Sequence, residues 1–372
     1  MQPPPDLDED ASPVVEQEEE LAGANLSGRD FRGKSLAGVD LSGANLSKAV
    51  LAGGNLERAS LTNANLDGAD LRGANLATAN LKGASLTNAD LQGANLKLAS
   101  LAMLDLSKAR LAGANFTAAT LTGALFDGAD LTGAQFKLAS LVDASFIGAS
   151  MSQVSLVDAD LSRANLSGAN LRNANFATAV LKETILIEAD LAGADFRGAT
   201  VEKVIAAGAC LKNTQCSWVE INGSDFSGCD LEAAEWTGAE AKRCSFFRAN
   251  LKNIKAADAV LEFSDLRGTH LNGAVLTGAS LVGADLEGAV FDGADLRESD
   301  LFWTSPTDEQ LVDCHTTNAR LPVTKTDVYG PANATPPNVQ PKPLYPPPLS
   351  SDERRQRATR RPEKNLAGQM RN

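Results

Sequence analysis

From residue 21 to residue 301 an apolar residue, in most cases a large one, returns at every fifth position. Its clearest run is NLDGADLRGANLATANLKGA at 65–84, where the centres are Leu66, Leu71, Leu76 and Leu81. A helix advances about 100° per residue, so five residues wind these leucines around the cylinder and leave no apolar stripe. A straight strand fails as well, because an odd spacing sends successive leucines to opposite faces.

The remaining positions of the quintet resolve the conflict. Two residues before each centre stands a small residue, Ala64, Ala69, Ala74 or Ala79. Two apart in extended chain means the same side, so alanine and leucine both point inward. Between them lies an outward polar slot, held by Asn65, Asp70, Asn75 and Asn80. The last two residues, such as Arg72-Gly73, read as a turn. Repetition of a very short strand and a corner winds the chain about an axis with each Leu/Ala pair facing the middle.

The register holds over 57 quintets without a slip, and 49 of the centres are Leu or Phe. The code loosens between 201 and 256, where Val201, Ala206, Cys216, Ile221, Trp236, Ala241 and Ala256 are centres. Small inward positions also vary, through Val154, Thr184, Ser224, Cys229, Cys244 and Ser264, all read as compact filler.

Quintets such as Ala69-Asp70-Leu71-Arg72-Gly73 and Ala94-Asn95-Leu96-Lys97-Leu98 resemble the A-(D/N)-L-X-X motif of the pentapeptide-repeat proteins. That resemblance implies an all-β fold, a right-handed quadrilateral β-helix (β-solenoid) with four quintets per turn and about 14 turns. Residues 20 apart then stack. Sorted that way, Phe116, Phe136, Phe176 and Phe196 share one face, and Phe126, Phe146, Phe226 and Phe246 the opposite one. Asn55, Asn75, Asn95 and Asn115 fall into line as an amide ladder.

All 15 prolines lie outside 21–301, and proline cannot donate to a ladder. Four segments follow. Residues 1–20 form an acidic, proline-containing disordered lead, 21–301 the repeat domain, 302–321 a C-terminal cap, and 322–372 a proline-rich then arginine-rich disordered tail. In the cap, Phe302 and Trp303 cover the last layer. A short helix follows, with Ser305 as N-cap and Pro306 in first position, running to about Cys314 with Leu311 and Val312 inward. The basic run Arg354, Arg355, Arg357, Arg360 and Arg361 reads as solvated tail or as a hook for an acidic partner, the chain's own lead included.

No constellation for catalysis is visible. His270 and His315 have no motif around them, and the many Asp residues are products of the repeat. The five cysteines lack metal-ligand spacing, no cofactor or small-molecule motif stands out, and no long apolar run suits a membrane span. The reading is a non-enzymatic, cytoplasmic protein–protein interaction scaffold. Two alternatives come from the resemblance: a DNA mimic that binds DNA gyrase, as some acidic relatives do, and a secretion-system effector or loading accessory exported without a signal peptide. The net charge is −13, of which the lead carries −8 and the segment after 301 carries +3, leaving −8 on the repeats. Those repeats mix Arg and Lys with their Asp, which suits direct nucleic-acid binding poorly and a coherent phosphate-like stripe little better.

The candidate partner surface lies where apolar residues are contiguous in outward slots, which elsewhere are mostly polar. Ile185 and Ile187 flank the centre Leu186, and Ile205 and Ala207 stand 20 residues on. Such a patch suits a protein partner or a second copy in a homodimer where it is contiguous and uncovered; a tail folded back over it is the competing reading.

Overall fold

Every backbone N–H of one quintet can be traced to a partner. In the computed structural model, which describes residues 20–322 together with Glu353 and Gln356, the quintet 71–75 shows the scheme. Leu71 N–H donates to Asp90 O at 2.8 Å, Gly73 to Gln92 O at 2.9 Å, and Asn75 to Gly54 O at 2.9 Å. Ala74 N–H closes a turn on Leu71 O at 3.0 Å. The last one, Arg72 N–H, goes to the side chain of Asp70 at 3.2 Å. The outward Asp or Asn is thus an acceptor for the amide two residues on, which is why short polar side chains fill that slot. The turn needs a positive φ at its third residue. Gly73 has φ 62°, and Leu138 and Trp218 adopt 61° in the same role.

The outward residues pair in parallel with those 20 positions away, Asn55 with Asn75 and Asn75 with Asn95. This gives layers of twenty residues and columns of residues 20 apart. Regular strand is far scarcer than the sequence suggests. Among the described residues only β1 (Val180–Lys182), β2 (Thr200–Glu202) and β3 (Glu220–Asn222) qualify, in one parallel sheet of order β1-β2-β3. The regular sheet is sparse and open rather than an extensive, closed quadrilateral β-helix of about 14 turns, and the expectation is corrected on that point. The reason is local. A turn closing on its own centre takes four residues of each five and leaves one to bridge, so a strand cannot extend. At Leu181, Val201 and Ile221 the turn bond is not made, and the chain runs straight for three residues. There the amide of Val204 is taken instead by Ser224 Oγ at 3.0 Å.

The core is one continuous cluster of the centres and small residues, with Leu71, Leu76 and Leu81 at 0% exposure. Phe116 stacks on Phe136 and Phe126 on Phe146, each with ring centroids 4.8 Å apart, while Phe116 meets Phe126 edge-on at 6.0 Å. The stacking step equals the spacing of paired strands, so rings in one column lie parallel without strain. The amide ladder runs from Asn55 through Asn75 to Asn95, at 3.2 and 2.9 Å. At Asn115 the side-chain oxygen is instead taken by Thr117.

At the C-terminal end, α1 (Asp308–Leu311) begins at Thr307, not Ser305. Thr307 and Gln310 form a capping box. The helix ends before Cys314 because its C-terminal half carries no buried face: Leu311 is half-buried and Val312 is 73% exposed. Gln310 covers two core carbonyls, donating to Leu286 O at 3.0 Å and Ala289 O at 2.7 Å.

Candidate interaction surface

The four patch residues come together, and three of them are sealed. Ile185 is 6% exposed, Ile187 2% and Ala207 1%, while Ile205 is half-buried. Ile185 bridges Asn165 on one side and Ile205 on the other, and Ile205 bridges Asp225. All of these occupy outward slots, where a side chain ordinarily meets water.

The burial extends along the same column pair in both directions. Leu125, Asp127, Ser145, Asn165, Ser167, Asp225, Ser227, Ser245 and Asp265 are all buried. Earlier layers of that column behave differently: Asn25 and Asp105 are exposed, and Asn45, Asn65 and Ser85 half-exposed. Outward slots of the other three columns, such as Asp130, Asn170, Asp190, Gln135 and Asp160, are half-buried or exposed. Slot geometry therefore does not account for the burial; position along the stack does.

The covered strip has a definite chemistry. Its middle is apolar or small. Its ends are acidic and internally bonded, Asp127 accepting from Ser145 Oγ at 2.5 Å and from Ile147 N–H at 3.1 Å. Asp265 holds Arg267 through two bonds of 2.9 and 2.8 Å, and Arg267 lies 5.4 Å from the Phe247 ring. Asp225 accepts from Ser227 with one oxygen, and its Oδ2 is buried without a hydrogen-bond partner.

The other candidate residues fall elsewhere. Phe302 lies beneath the Arg320 guanidinium at 4.0 Å, and Trp303 is 67% exposed, so it faces solvent. Arg354, Arg355, Arg357, Arg360 and Arg361 lie outside the described residues, as do the tails assigned to 1–19 and beyond 322 apart from Glu353 and Gln356. Among the described residues no group of three or more His, Cys, Asp or Glu is placed to hold a metal ion, and no helix is long and apolar enough to cross a membrane. The column burial had no signal within a single quintet, since Ser145, Asn165 and Ser245 are ordinary occupants of an outward slot.

The family model for pentapeptide repeats matches residues 20–58, 40–77, 64–102, 79–117, 224–261, 257–293 and 269–304. A second model, for a pentapeptide repeat region, matches 119–196. The chain belongs to the pentapeptide-repeat family. As a member it is a non-enzymatic repeat protein. Among solved structures it is similar to HetL, a pentapeptide-repeat protein involved in heterocyst differentiation regulation in the cyanobacterium Nostoc sp., at 26% identity over 67% of this chain and 89% of that one, with a TM-score of 0.42. A pentapeptide-repeat protein of the Arabidopsis thaliana thylakoid lumen is 34% identical over 30% of this chain and 71% of that one, with a TM-score of 0.22. The plasmid-mediated fluoroquinolone resistance protein QnrB1 is 21% identical over 54% of this chain and 91% of that one, with a TM-score of 0.19. No curated protein matches this pentapeptide-repeat chain.

Proposed function

We propose that this pentapeptide-repeat protein is a protein–protein interaction scaffold, and that the strip from Leu125 to Arg267 becomes its docking surface when the cover that keeps it dry is displaced. The observation that carries this reading is the burial contrast within one column. Ser145 and Ser245 are at 0% exposure, while Asn25 and Asp105, in the same slot of the same column, are exposed. An apolar centre at Ile185 and Ile187 with polar ends is the anatomy of an interface core and rim. The layer stack supplies rigidity, so a partner meets a preformed surface.

The DNA-mimic alternative fits the surface charges less well. Asp70, Asp90 and Asp190 are each paired to an arginine, Arg72, Arg110 and Arg172, at 2.6, 3.0 and 2.6 Å. Neutralised carboxylates make a weak copy of a phosphate backbone.

The test is the double variant Ile185→Lys and Ile187→Lys, compared with the parent by pull-down from native lysate after matched folding has been verified by circular dichroism. The scaffold reading expects a specific set of proteins to be lost. An unchanged set removes this strip as the docking surface.

A further inference from the structure

Something excludes water from an outward-facing strip eight layers long, and its chemistry can be read from the strip. At about 4.8 Å per layer, the span from the Leu125 layer to the Asp265 layer is about 34 Å. The occupant must present small or apolar groups to Ile185, Ile187 and Ala207. It must also bring positive charge to the acidic ends, because a buried carboxylate oxygen such as Asp225 Oδ2 is costly without a donor. We infer that this surface docks the chain's own basic C-terminal segment, Arg354 to Arg361. The inference rests on the reading of the strip as a docking surface and names its resident occupant.

Charge complementarity selects that segment. Five arginines fall within eight residues, with Ala358 and Thr359 among them. The N-terminal segment, residues 1–20, carries eight acidic residues and no base, and would meet Asp127, Asp225 and Asp265 with like charge. Reach is sufficient. The 32 residues from Pro322 to Glu353 span up to about 100 Å when extended, against about 47 Å from the Arg320 layer back to the Leu125 layer. Glu353 and Gln356 are both helical and exposed. Asp127, Asn165, Arg267 and Asp285, all on this column pair, each engage a further interaction, and so do Glu353 and Gln356.

The experiment uses the full chain carrying Ser145→Cys and follows alkylation by iodoacetamide with site-resolved mass spectrometry. Cys210, half-buried in another column, is the internal reference. The Ser145→Cys thiol is expected to react slowly. Adding Arg354→Glu, Arg355→Glu and Arg357→Glu is expected to raise its rate at least tenfold while the Cys210 rate stays constant. Equal rates with and without the charge reversal overturn the inference. So does protection that disappears on dilution, which assigns the strip to a second copy, or protection lost only when residues 1–19 are removed. Ser245→Cys repeats the measurement should Ser145→Cys fold poorly. Retained protection with an unchanged pull-down sinks the scaffold reading and leaves the dock standing; the reverse pattern sinks the dock alone.

Discussion

The thiol of Cys244 donates to the carbonyl oxygen of Ile221 at 3.0 Å, joining adjacent layers across twenty-three residues. The same link recurs from Thr184 to Leu161 at 2.9 Å, from Cys229 to Ala206 at 2.9 Å and from Ser264 to Ala241 at 2.9 Å. A donor at the small inward position therefore reaches the centre carbonyl of the layer before it. Burial pushes the Cys244 thiol up to about 12, so it keeps its proton and remains a donor at every ordinary pH. Cys244→Ser should preserve the link, whereas Cys244→Ala should lower stability by about 1–2 kcal/mol. Urea denaturation of the two variants separates them; equal stability would show that the bond contributes nothing.

Leu71 is fully buried, and Arg72, the next residue, lies on the surface in a two-bond pair with Asp70 at 2.8 and 2.6 Å. Leu71→Ala should cost about 2–5 kcal/mol, the usual range for a buried leucine that leaves a cavity. Arg72→Ala should leave the denaturation midpoint unchanged, because an exposed pair is screened by water. Comparable losses at both positions would overturn the inside/outside assignment.

Acid should act on the Asp295–Arg297 pair. Hydrogen bonds from the Arg297 side chain hold the Asp295 carboxyl down at about 2, below its ordinary 3.8. A depressed carboxyl adds stability above its unfolded value, and that contribution is lost as pH falls from about 3.8 through about 2. Arg297→Gln should move the Asp295 titration upward, toward 3.8, and shift the acid edge of stability the same way. Carbon-detected NMR titration of the aspartate carboxyls follows the first effect, and an unmoved Asp295 would refute the assignment.

A supercoiling assay with purified protein should show no strong inhibition of DNA gyrase. The motive is the arginine pairing of Asp70, Asp90 and Asp190. Submicromolar inhibition would reverse the ranking and promote mimicry over scaffolding.

The five-residue register and the buried centres were legible in the chain because each follows from side chains a few positions apart, while the stacking of residues 20 apart came from the resemblance to pentapeptide-repeat proteins. The strands were not. All three begin next to a centre whose turn bond is missing, and Thr184 and Ser224 there read as filler when they in fact reach other layers. The partner strip was half legible. Ile185 and Ile187 stood out as apolar in polar slots, but the burial of Ser145, Asn165 and Asp225 beside them depends on chain remote in sequence. The N-cap was misplaced by two residues because Ser305-Pro306 mimics a helix start, while the reciprocal bonds of Thr307 and Gln310 decide it.

The pairing of each residue with the one 20 positions on also limits how such a chain can lengthen. Inserting five residues keeps a leucine in every core slot, so the interior accepts growth by single quintets. The outside does not. Five residues inserted after Ala207 would move Asp225, Ser245 and Asp265 off the covered strip and bring a different set of side chains beneath its occupant. Genes encoding the same core could therefore drift in units of fifteen bases, while those that keep this surface are confined to steps of sixty.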